Sequence, residues 1–83
     1  MKKYLVDVYL PTAGTHLNVF IPNTKQIGEV IGLLARAAEA LPGIGYKATP
    51  DAMLFHAYSG MPYDLFLTVE EAGIRNASKL ILI

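Results

Sequence analysis

Leu65-Phe66-Leu67-Thr68-Val69-Glu70-Glu71-Ala72-Gly73-Ile74-Arg75-Asn76-Ala77-Ser78-Lys79-Leu80-Ile81-Leu82-Ile83 is the stretch whose reading decides the fold. It passes from an apolar segment through Thr-x-Glu-Glu to Gly73-Ile74, then through a polar turn into an apolar run. Tyr63 to Leu67 predicts a brief strand, set off by the Ser59-Gly60-Met61-Pro62 turn. Val69 to Gly73 predicts a short turn or 3₁₀ helix. Glu70 and Glu71 suit the positive start of such a turn, which accounts for them without a separate acidic site. Lys79 to Ile83 predicts a final strand.

Working back from this end, Lys3 to Leu10 alternates. Tyr4, Val6, Val8 and Leu10 share one face; Lys3, Leu5, Asp7 and Tyr9 share the other. Pro11-Thr12-Ala13-Gly14-Thr15 reads as a turn. His16 to Ile21 alternates again, with Leu17, Val19 and Ile21 opposite His16, Asn18 and Phe20. The two runs predict a hairpin. Pro22 ends it, and Asn23 or Thr24 is expected to cap a helix. Ile27, Val30, Ile31, Leu34, Ala38 and Leu41 recur three and four apart and form its buried stripe. Gly28, Glu29, Gly32, Arg36 and Glu39 lie opposite. Pro42-Gly43 closes the helix, and the chain to Pro50 reads as a loop. Ala52 to Tyr58 predicts a third strand. Its two faces, Met53, Phe55, Ala57 and Leu54, His56, Tyr58, are both mostly apolar, so period alone does not orient it. The order is β-β-α-β-β-β: an α+β domain spanning residues 1–83, with one helix packed on a mixed sheet.

The 83 residues include no cysteine, so neither disulfides nor thiolate metal sites contribute. A chain this short buries only about 60% of its unfolded surface, so the core must be dense. Hydrophobic residues make up 53% of the sequence, more than such a core can hide, so some must lie on the surface. Seven basic residues balance seven acidic ones and are scattered, which argues against nucleic acid. No run reaches the roughly 18 apolar residues of a membrane span, and Lys2-Lys3 is followed by Asp7 and Pro11 rather than by a signal-peptide core. A cytoplasmic protein without direct membrane insertion is the expectation.

Ile21-Pro22, Ile27-Gly28-Glu29-Val30-Ile31, Ser59-Gly60, Thr68 to Ile74 and Asn76 to Leu80 together resemble the YukD/EsaB group of small ubiquitin-like proteins of type VII (WXG100) secretion. They are also similar to the ubiquitin-like domain that begins a membrane component of that system. The resemblance implies the β-grasp (ubiquitin-like) roll and a non-enzymatic accessory role in a secretion assembly, without cofactors. By analogy with ubiquitin, Leu54 and Tyr58 face inward. The turn before the last strand usually reads Asn-Gly-Asp in such proteins. Here it is Asn76-Ala77-Ser78, with Asn76 able to adopt positive φ. Ubiquitin and the sulfur carriers extend a tail ending in Gly-Gly, whose carboxylate is activated. Ile83 is expected to lie in a strand instead, which favours a non-conjugating module over the alternative, a sulfur carrier or protein modifier activated at its carboxyl end.

With Val6, Val8, Leu17, Val19, Ile21, Leu80 and Leu82 facing the helix, Leu5, Tyr9, Phe20, Ile81 and Ile83 fall on the open sheet face. These five are the candidate protein-binding residues, either for a secretion-system component or for a second copy. A one-residue register slip would exchange the faces. His16, His56 and Asp7 are the only grouping that suggests catalysis or metal ligation, and they lack motif spacing; no catalytic, cofactor or metal site is expected. Gly28-x-x-x-Gly32 is either a place of close approach by a partner's backbone or simple tolerance on a solvated helix face.

Overall fold

The computed structural model describes residues 2–83. Strand β1 (Lys3–Leu10) and strand β2 (Thr15–Pro22) form the expected hairpin, helix α1 (Ile27–Glu39) follows, and strands β3 (Leu54–His56) and β4 (Lys79–Leu82) complete the sheet. The sheet order is β2-β1-β4-β3, with β1 parallel to β4 and the other neighbours antiparallel. This is the α+β roll anticipated, one helix on a mixed sheet. The order differs in one element. Tyr63 to Leu67 is not a strand: it is a turn between isolated bridges at Phe55–Pro62 and Gln26–Thr68. Asp64 is the cause. Its carboxylate accepts the Phe66 N–H at 2.9 Å and its carbonyl the Leu67 N–H, curling the chain as Asx turns do.

The helix stripe Ile27, Val30, Ile31, Leu34 and Ala38, joined by Ala35, is buried in one cluster with Val6, Val8, Leu10, Ile21, Leu54, Leu80 and Leu82. Leu17 and Val19 pack against that cluster but remain half-buried, because the helix does not cover the β2 edge. Val69 and Ile74 close one end of the core and Tyr46 anchors the long loop. Burial pushes the phenol pKa of Tyr46 up, aided by the nearby Glu39 carboxylate, and burial alone raises that of Tyr63.

The helix start differs from expectation. Gln26, not Asn23 or Thr24, is the N-cap residue, and its side chain makes no cap bond. The free amides are met from far along the chain: Ile27 N–H donates to the Leu67 carbonyl at 2.8 Å and Gly28 N–H to that of Leu65 at 3.0 Å. A Cβ on Gly28 would sit 3.4 Å from the Leu65 carbonyl oxygen. Gly28 thus serves a close backbone approach within the chain itself. Asn23 is instead a buried tie. Its Oδ1 accepts the Lys2 N–H at 3.1 Å, and its Nδ2 donates to Glu70 at 3.4 Å. Its backbone bonds Lys2 and Glu70 as well. Tyr58 is also corrected. The third strand ends at His56, whose Nδ1 accepts the Tyr58 and Ser59 amides and starts a turn, leaving Tyr58 79% exposed.

Candidate functional site

The pairing registers place the open-face side chains in rows across the sheet. Leu5 lies opposite Phe20. The next row runs Lys79, Asp7, Asn18, and the one after it Phe55, Ile81, Tyr9, His16. Ile83 pairs with Met53 through two backbone bonds at the far end. The five candidate residues therefore share one face but not one patch. Phe20 is 61% exposed, Ile83 52% and Leu5 41%, whereas Tyr9 and Ile81 are half-buried. A polar band, Lys79–Asp7–Asn18, separates Leu5–Phe20 from Tyr9–Ile81.

A groove of about 550 Å³ opens along the Leu5–Phe20 end, lined also by Asp7, Asn18, Asn76, Ala77 and Lys79. Its far wall is the turn before β4. The Asn76 Oδ1 accepts the Leu5 N–H at 2.9 Å, and the Ala77 N–H donates to the Leu5 carbonyl at 2.7 Å. The positive φ of this turn falls on Ala77, at 68°, and not on Asn76, which is able to adopt it. An L-residue with a Cβ is strained there, and strain of this kind is often found beside functional surfaces. Ala77→Gly should relieve it, offset in part by the entropy of an unfolded glycine, for a net gain of about 0.5–1 kcal/mol. Thermal unfolding should show a midpoint raised by a few degrees; an unchanged or lowered midpoint would refute the strain.

The Asp7 carboxylate meets His16 Nδ1 at 3.1 Å, with the Tyr9 ring 4.7 Å from the imidazole. His16 is largely exposed, and an ion pair in such a setting contributes little. His56 lies on the opposite edge strand, with its Nδ1 held as an acceptor, so the two histidines are not brought together. Among the described residues no group of three metal-ligating side chains forms.

Sequence reasoning missed the exposed apolar residues outside the sheet. Phe66 is 81% exposed, and Met61, Leu65 and Leu67 also reach solvent. The signal was available: Leu65-Phe66-Leu67 follows an aspartate within reach of its own next-but-one amide, which favours a turn over a strand.

This architecture is the ubiquitin-like β-grasp fold. Solved structures agree at low sequence identity. The chain matches the ubiquitin of Caldiarchaeum subterraneum with a TM-score of 0.76 and 17% identity, covering 99% of this chain and 92% of that one. It matches the ubiquitin-like domain of the type VII secretion protein EccD1 of Mycobacterium tuberculosis with a TM-score of 0.68 and 17% identity, covering 100% and 99%. It also matches a chain of a toluene 4-monooxygenase complex with a TM-score of 0.79 and 10% identity, covering 98% and 96%. No family model matches the sequence, and no curated protein matches it. No described helix is long and apolar enough to cross a membrane.

Proposed function

We propose that this chain is a non-covalent protein-interaction module, acting as a single ubiquitin-like unit in a type VII-like secretion assembly, and that it docks its partner on the open sheet face. The observation that carries the reading is the exposed Leu5–Phe20 pair beside the groove. Two large apolar side chains held side by side on a rigid sheet, with amides of Asn18 and Asn76 at the rim, suit an extended protein segment. Its apolar side chain would enter the groove while its backbone meets the amides. The EccD1 likeness supports the secretion setting, and a second mycobacterial domain, from EccD5, matches with a TM-score of 0.76. Ile83 and the half-buried Tyr9 and Ile81 extend the same face and are proposed as its outer contacts.

Affinity recovery from native cells, with type VII secretion components as the readout, tests this. A carboxylate at either wall would be desolvated without a partner, so Leu5→Asp and Phe20→Asp should each weaken recovery by at least about thirtyfold, the scale of a binding hot spot. Recovery unchanged in the folded Leu5→Asp variant would remove the open face as the docking surface.

A further inference from the structure

We propose that the outer edge of β2 pairs with the same edge of a second copy of this chain, antiparallel about a two-fold axis through Asn18. The surface is the strand's backbone rim, whose Asn18 and Phe20 also line the groove described above, and the inference does not depend on the secretion reading.

The hydrogen-bond direction of each residue fixes which groups are free. Asp7 N–H donates to the Ser78 carbonyl at 2.9 Å, and the Leu5 carbonyl accepts from Ala77, so the odd-numbered residues of β1 bond toward β4. Tyr4, Val6, Val8 and Leu10 therefore bond toward β2, onto Ile21, Val19, Leu17 and Thr15. His16, Asn18 and Phe20 are left with N–H and C=O directed away from the sheet. The opposite edge is closed, because Tyr63 N–H donates to the Leu54 carbonyl at 3.0 Å and His56 N–H to that of Met61 at 2.8 Å. β2 carries few of the usual guards of a free edge: it has no charged side chain from Thr15 to Pro22 and no bulge in its register, and its one guard is Pro22 at the strand's end, which lacks an N–H.

A second copy satisfies this rim in one register. Centred on Asn18, the pairing sets His16 against Phe20 of the second copy and Asn18 against its counterpart, so every free group of the three residues is used. Centring on Val19 would bring Pro22, which has no N–H, against His16. Centring on Leu17 would bring Gly14, which sits in the hairpin turn at φ 63°, against Phe20. The Asn18 register also matches the faces. On the open side the Phe55–Ile81–Tyr9–His16 row continues into Phe20 and Leu5 of the second copy, and the polar band continues into its own equivalent. On the helix side the half-buried Leu17 meets Val19 of the second copy. A chain of formal net charge zero offers no repulsion to such pairing.

The test is sedimentation of the chain and of Asn18→Lys up to about 1 mM, the weak end of specific association. The parent should dimerise, and the variant, with like charges facing across the axis, should associate at least about tenfold more weakly while keeping its far-ultraviolet circular dichroism. In the dimer, amide exchange should slow at His16, Asn18 and Phe20. Asn18→Cys places its sulfurs on backbones about 5.5 Å apart, within disulfide reach, and should cross-link on oxidation where Thr12→Cys does not. A parent monomeric throughout, a dimer indifferent to Asn18→Lys, or a dimer lost in Ile83→Asp but kept in Asn18→Lys would each overturn the edge pairing.

Discussion

Leu34→Ala is expected to destabilise the fold by about 2–5 kcal/mol, the usual range for truncating a buried leucine. Leu34 is fully enclosed where the helix stripe meets Val6, Val8, Leu80 and Leu82. Removing its branched end takes away transfer free energy and leaves a cavity that a single helix on a single sheet cannot easily collapse. At about 0.05–0.15 kcal/mol per residue, the whole margin of a chain this size is about 4–12 kcal/mol, so the variant should lose a large share of it. Urea denaturation should show a lower midpoint with an unchanged slope. Its neighbour Leu33 is exposed, and Leu33→Ala should change stability by no more than about 0.5 kcal/mol. Equal losses at the two positions would mean that the helix does not rest on the sheet through this stripe.

Asn23→Leu is expected to cost about 1–3 kcal/mol, and for a different reason. Asn23 is the buried polar residue of the core boundary, and its amide joins the start of β1 to the Glu70 turn. The leucine keeps comparable bulk but removes the acceptor of the Lys2 N–H and the donor to Glu70. Unlike the core cavity, this loss is local. Amide exchange should accelerate at Lys2 and Glu70 more than at Val8 or Leu80. Tyr4 keeps its own 3.2 Å bond to Glu70, so the turn should loosen rather than detach. Uniform acceleration across the sheet would show that Asn23 acts on global stability instead.

These expectations also mark what could be read in advance. The stripe from Ile27 to Ala38 and the alternation in β1 and β2 were legible, because burial on one face forces a period, and the facing of Leu5 and Phe20 followed from it; the stripe's expected last member, Leu41, lies beyond the helix end and is half-buried. Features set by distant contacts were not. Asn23 and Thr24 are residue types that cap helices locally, whereas here Leu65 and Leu67 supply the acceptors from another part of the chain. The strand expected at Tyr63–Leu67 gave way to Asp64, and Tyr58 turned outward because His56 captured the amides beyond it. Parity placed the five open-face candidates on one side, but only the pairing with β4 set the Lys79–Asp7–Asn18 band between them. The positive φ of the turn before β4 lies on Ala77, one residue after the Asn76 that is able to adopt it.

The carbonyls of Leu65 and Leu67 that receive the first amides of α1 have a consequence for how the molecule comes together. During synthesis the hairpin and the helix leave the ribosome well before the segment that finishes the helix's first turn. Until that segment arrives, Ile27 and Gly28 have only water as acceptor. Acquisition of the native state should therefore be a late, concerted event limited by loop closure rather than stepwise growth from the amino end.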